Sequence, residues 1–302
     1  MKPPELLEEA GAESSALHGR AVFVLATPGS GAELLLRALD LLPRVATVPV
    51  PTHLFTQGLG RILDHWVHDD HKQGLWKLGT AQDVLLATRL LGDTALDAVR
   101  VANGADVVVE YSPEHATAVD DIIALYPDAH LLHLVRDGRQ VAAHLTTSAW
   151  KLGAREAARR WVDDQRAVLE LGDRPNLHIL RFEDLVAAPA IVFGELSDRF
   201  GLEADPAAIA AAASVLGDGE RRVPASRGTR AGTIVEIVGP DLLLHYGYDA
   251  TAADSSLRVA AWGDLLAAGA AGVGKRLAAA AGSELARRTR LARQRIEERK
   301  QR

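Results

Sequence analysis

The stretch HGRAVFVLATPGSGAELLLRALDLLP (residues 18–43) decides the fold. An unbroken apolar run over 21–26 reads as a strand covered on both faces, the signature of a parallel sheet. Thr27-Pro28-Gly29-Ser30-Gly31 then turns the chain, and Leu34, Leu35 and Leu39 follow at helical spacing. In open parallel sheets ligands bind where strand ends meet helix N-termini, and the first such turn commonly carries phosphate. Small residues there let backbone N–H groups approach an anion, and the helix dipole adds to the attraction. Taken alone, the stretch is equally compatible with a tight connection that binds nothing. The pattern GxxxxGK[ST] is absent, which argues against an ATPase or kinase phosphate loop.

Working outward, the same alternation continues. Strands are expected near Arg44–Val50, at DVVVE (106–110), at HLLHLV (130–135) and at NLHILRF (176–182). Helical patterns cover 60–100, 115–126, the segment that RDGRQVAAHL opens, 153–171 and 183–200. Strands separated by helices of this length imply an α/β fold with a mostly parallel central sheet flanked by helices. The expected organisation is a flexible segment over 1–19, one α/β domain over 20–249, and a C-terminal helical extension over 250–302 with a basic tail.

Composition bounds the function. The chain has 302 residues, 48% apolar and 25% charged, and no cysteine, so disulfides, cysteine metal sites and a thiol nucleophile are excluded. The net charge of −6 argues against nucleic acid as a partner. From Glu284 onward eight Lys/Arg oppose three Glu, a local +5, which leaves −11 elsewhere. This tail reads as a solvated helix, with a homodimer contact as the alternative. MKPPELLEEAGAESSALHG offers no apolar core for a secretory signal, and no run is long enough for a membrane span. The expectation is a cytoplasmic location.

Two further strand ends carry chemistry. In HLLHLVRDGRQVAAHL, Arg136, Asp137 and Arg139 stand where a buried strand ends, and an Arg fork there suits a phosphate. An Asp cap beside a surface Arg would give the same letters. NLHILRFEDLV ends a strand on Arg181-Phe182 and starts a helix on Glu183-Asp184, which is also ordinary capping chemistry.

Together these pieces resemble the PAPS-dependent sulfotransferase family. The matching segments occur in order over about 20–249: the P-x-S-G turn, PEHA (113–116), PDAHLLHLVRDGRQVA (127–142), LRFEDLV (180–186), Ser226-Arg227-Gly228, and a closing Leu-x-x-x-Gly-Tyr ending at Tyr248. The resemblance implies a P-loop-like topology, 3′-phosphoadenylyl sulfate (PAPS) as donor, the bisphosphate PAP as product, and a small-molecule acceptor, with no metal. It implies that Pro28, Gly29, Ser30, Gly31 and Ala32 form the turn around the phosphosulfate. Arg136 would bind the 3′-phosphate and Phe182 would lie near the adenine. Arg227 and Gly228 would close over the 3′-phosphate, with Arg230 helping.

Four positions depart from that pattern. Gly29 stands where a Lys or Arg is usual, Ala32-Glu33 where Thr or Ser is usual, His144 where Ser is usual, and Tyr111 where many relatives have Lys. Losing one preorganised electrostatic contact of this kind slows catalysis by ~10²–10³-fold. Either other cations compensate, with His144 replacing the Ser, or the chain is a binding or scaffold protein with a degenerate donor site. For the general base, His53 in VATVPVPTHLF (45–55) is the first candidate, with Glu110 and His115 in reserve. The cluster His65, His68, Asp69, Asp70 and His71 reads as a solvated helix face beside Trp66 rather than as a zinc site. This region, with Trp66, Trp76 and Trp150, is expected to wall the acceptor pocket.

Overall fold

A computed structural model describes residues 15–66, 80–216 and 229–250. Its centre is a five-stranded sheet of β1 (Ala21–Leu25), β2 (Val45–Thr47), β3 (Val107–Tyr111), β4 (His130–Val135) and β5 (Leu177–Arg181). The strands lie in the order β2-β3-β1-β4-β5, and every neighbouring pair is parallel. The expected α/β architecture is therefore what the chain adopts. The expected strand over Arg44–Val50 shrinks to three residues, because Pro49 and Pro51 beyond it lack the N–H a ladder needs.

β1 is the hinge of the topology. The chain leaves it for β2 and β3 on one side and later returns to place β4 on the other. Ligands of open parallel sheets bind outside the carboxyl ends of strands at such a switch point.

The connecting helices are α1 (Ala32–Leu39), α2 (Leu59–Trp66), α3 (Ala81–Ala102), α4 (Val119–Leu125), α5 (Gly138–Thr147) and α6 (Ala154–Leu169). They continue as α7 (Phe182–Ala187), α8 (Pro189–Arg199), α9 (Pro206–Leu216), α10 (Thr229–Val238) and α11 (Pro240–His245). The period of two along β1 divides the core. Val22 and Val24 face α1, α7, α8 and α9 through Leu35, Leu185 and Phe193, whereas Phe23 and Leu25 face α2, α3 and α4 through Phe55, Leu63 and Ile122. A third cluster joins α5, α6, α10 and α11 around Trp161, which is fully buried. No helix among the described residues is long and apolar enough to cross a membrane.

One boundary shifts. The expected flexible segment runs to residue 19, but Leu17 is buried and the Ser15 hydroxyl donates to Asp93 at 2.9 Å inside the fold. Leu17 is the only apolar anchor in this short polar stretch, and its burial against α3 and α4 brings Ser15 with it. The expected C-terminal helical extension and its basic tail lie outside the described residues.

Trp161 fixes the position of Arg136. Its Nε1 donates to the Arg136 carbonyl at 3.1 Å, and its ring leaves no room for a side chain on Gly138, where a Cβ would meet the indole at 2.6 Å. Gly138→Ala should therefore lower stability by about 1–3 kcal/mol, seen as a reduced denaturation midpoint with an unchanged slope.

Candidate active site

The carboxyl ends of β3, β1 and β4 lie side by side, since Val24 is in register with Tyr111 and Leu25 with His133. The loops that leave these strands start with Ser112, Ala26 and Arg136 respectively. β5 adds Phe182 at its own carboxyl end, because Val135 is in register with Arg181. Sequence-distant chemistry is thus gathered on one rim.

The first turn is shaped by what lies above its glycines. Gly29 has φ 91°, and a Cβ there would sit 2.7 Å from the His144 ring. Gly31 has φ 109°, and a Cβ would sit 2.4 Å from the Phe182 ring. Both positions require glycine by backbone and by space. Pro28, Ser30 and Ala32 between and beside them are buried. Gly31 stands at the N-cap of α1 without a side-chain cap, so the first N–H groups of that helix are open to an anion. α3, by contrast, closes its N-terminus with a full capping box from Thr80 and Asp83.

Arg136 is 1% exposed. Its Nη1 donates to the Gly29 carbonyl at 2.9 Å, and its guanidinium lies 5.0 Å from the centre of the Phe182 ring. Burial lowers its pKa to about 10, with Glu183, Tyr248 and Asp137 opposing the shift. Its Nε and Nη2 and the Ser30 hydroxyl are buried with no hydrogen-bond partner among the described residues. Unsatisfied buried donors of this kind are rare in folded proteins and mark a place for an acceptor. An anionic ligand would supply the acceptors these donors lack. Around them, Tyr248 donates to Glu183 at 2.8 Å and carries the Arg181 guanidinium 4.6 Å above its ring, which docks the closing Gly247-Tyr248 segment onto the end of β5.

Two expected donor contacts take a different form. Phe182 is 2% exposed and belongs to the main core cluster, so it supports Gly31 and Arg136 rather than offering a face to a base. His144 fills the space over Gly29. Burial and the nearby Arg136 lower its pKa to about 4, so the ring is neutral at physiological pH and cannot replace a missing cation.

The second half of the rim carries the base candidates. His53 is one of the few non-glycine residues in the left-handed region, with φ 53°. Its backbone N–H donates to the Ser112 hydroxyl at 2.9 Å, and Ser112 donates onward to Glu110 Oε1 at 2.9 Å. The Thr52 hydroxyl donates to the same oxygen at 2.9 Å. Glu110 Oε2 meets His115 Nε2 at 2.6 Å, and His115 Nδ1 lies 3.1 Å from the Val24 carbonyl. Burial pushes the Glu110 carboxyl up, but His115, Ser112 and Thr52 together hold it below its ordinary value. Glu110 and His115 are 1% and 0% exposed, and their contacts tie the loop that carries His53 to the strand ends.

His53 Nδ1 lies 2.9 Å from Glu114 Oε2. That bond raises the imidazole pKa against the opposing effect of partial burial, with the Glu114 and Glu110 charges helping. Engaging Nδ1 leaves Nε2 as the working nitrogen, the arrangement of a general base oriented by a carboxylate.

Several of these residues escaped the sequence reading. Glu114 and Ser112 sit within the quoted PEHA neighbourhood but read there as turn and helix-start chemistry. Arg160, Asp164 and Trp161 lie on a helix whose periodicity announces only amphipathicity. Trp150 is half-buried and packs on the third core cluster. Arg227, Gly228, Trp76, His68, Asp69, Asp70 and His71 lie outside the described residues, as do the side chains of Arg230 and Trp66. Among the described residues no group of three or more His, Asp or Glu could hold a metal ion.

A profile of the sulfotransferase family matches residues 21–206. Among solved structures, sulfotransferase STF9 from Mycobacterium avium is 15% identical, with 81% of each chain covered and a TM-score of 0.53, which shows a shared fold. The sulfotransferase domain of the olefin synthase from Synechococcus PCC 7002 is 20% identical over 80% of this chain and 89% of that one, with a TM-score of 0.45. No curated protein matches the chain.

The His53–Glu114 contact has a signed consequence. A raised imidazole pKa stabilises the fold fully below the ordinary value of ~6.5, and this is lost as pH rises through the raised value. In a ring-proton NMR titration His53 should titrate above ~6.5, and Glu114→Gln should move it down by about one unit.

Proposed function

The chain belongs to the sulfotransferase family, and on that premise we propose that it moves a sulfuryl group from PAPS to a hydroxyl or amine of a small molecule, by in-line transfer, in the cytoplasm. The observation that carries this reading is the set of buried, unpartnered donors on Ser30 and Arg136 beside an uncapped helix N-terminus. Such a set suits a doubly phosphorylated nucleotide.

On this reading the turn N–H groups and Ser30 would hold the phosphosulfate, and Arg136 the 3′-phosphate. The donor supplies the transferable sulfuryl group. His53 Nε2 takes the proton of the acceptor as its oxygen or nitrogen bonds to sulfur. The bond from sulfur to the bridging oxygen breaks, and the nucleotide leaves as PAP. Glu114 holds the ring in the tautomer that exposes Nε2 and steadies the imidazolium that forms. No covalent enzyme intermediate is needed.

A second reading, a binding or scaffold protein with a degenerate donor site, is favoured by one observation. Gly29 cannot carry a cation, because the His144 ring occupies the space its side chain would need. Calorimetry with PAP separates the two. The enzyme reading expects binding at about micromolar ligand, weakened about 10–100-fold in Arg136→Ala, the cost of losing charged hydrogen bonds. An absence of binding at millimolar PAP would establish the scaffold.

For the base, His53→Ala should lower turnover by about 10²-fold or more while PAP affinity is retained. Unchanged turnover in that variant would remove His53 from the proton transfer.

A further inference from the structure

Arg160 on α6 lies between the two halves of the rim. Its Nη2 donates to the Pro113 carbonyl at 2.5 Å, in the loop that carries Glu114. Its Nε pairs with Asp164 Oδ2 at 2.9 Å. The Thr27 hydroxyl faces the Asp164 carboxylate and accepts from Gln165 Nε2 at 3.2 Å, so this side of α6 also grips the residue that opens the donor turn. The Asp164 carboxylate is fully buried, and the Arg160 side chain is 16% exposed.

We propose that Arg160 is a positioning residue that fixes the base loop against the donor turn and, through Glu114, limits how tightly His53 holds a proton. The inference rests on reading His53 as the base.

The electrostatic need is specific. Glu114 and Glu110 both draw a proton onto His53. Both charges favour the protonated ring, and a protonated imidazole accepts nothing, so a cation facing Glu114 works in favour of the base. Arg160 is the cation that faces Glu114, and it also faces Tyr111. The groups facing Arg160 itself are Asp164, Glu114 and Tyr111, with Asp163 farther along α6. Tyr111 additionally feels Glu33 from α1. An Arg suits the task because it stays charged at every relevant pH and its fork can hold a carbonyl and a carboxylate at once.

The test uses the full-length chain carrying Arg160→Met or Arg160→Lys. Three quantities are measured: PAP affinity, the His53 ring titration by NMR, and the pH profile of kcat/KM. Removing a cation must raise the proton affinity of the His53–Glu114 pair. The ring titration and the acidic limb of the profile should therefore both move up by about one pH unit in Arg160→Met, opposite in direction to Glu114→Gln. Arg160→Lys keeps the charge and should leave both near the wild-type position, and PAP affinity should hold in each variant. An unmoved titration in Arg160→Met, or equal displacement in the Met and Lys variants, overturns the proposal. Should Arg160→Met fail to fold, Arg160→Gln, which retains a donor toward Pro113, must show the same upward displacement. A wild-type protein that does not bind PAP overturns the donor reading separately, and the ring titration still decides the role of Arg160.

Discussion

A guanidinium buried at the rim of a parallel sheet constrains everything around it. Taking Arg136 out of water costs several kcal/mol, and one bond to a carbonyl with one aromatic face returns only part of that. A fold optimised for stability alone would have replaced it with an apolar residue of similar volume. Instead the indole of Trp161 holds the Arg136 carbonyl, Phe182 underlies its charge, and the glycine turn offers a carbonyl in place of a carboxylate. The absence of a full counter-ion keeps the charge available. A buried charge without a matching counter-ion is a local inconsistency of the kind found at functional positions.

The other half of the rim shows the opposite strategy. Glu110 Oε1 accepts from the Thr52 and Ser112 hydroxyls, and Oε2 faces the His115 ring as an ion pair. Its reward is geometric, since the hydroxyls it holds fix a histidine in a backbone conformation that side chains rarely adopt. Burial separates these groups: Glu110 and His115, sealed in the core, hold the loop, while the His53 side chain keeps partial exposure beside the buried Glu114.

The fold was legible because each strand of a buried parallel sheet is an apolar run, and each run here ends in a turn. β1, β3 and β4 lie within a residue of where their letters place them. Sequence reasoning also singled out Ser30, Arg136 and His53 as candidates, since a small-residue turn, an Arg at a strand end and a loop histidine each announce a chemistry. It could not see that His144 and Phe182 are spacers, because the fact lies in contacts across more than a hundred residues. Glu114 and Arg160 were hidden for a different reason. A carboxylate in a turn and an arginine on an amphipathic helix are the commonest letters in those settings, and only the fold brings them to one histidine.

The two ring-over-glycine contacts lock pairs of positions together in evolution. A lysine could enter position 29 only if residue 144 shrank first, and a smaller residue at 144 alone would open a void above the turn. Neither single step is neutral, so a change at either position of the pair is felt at the other.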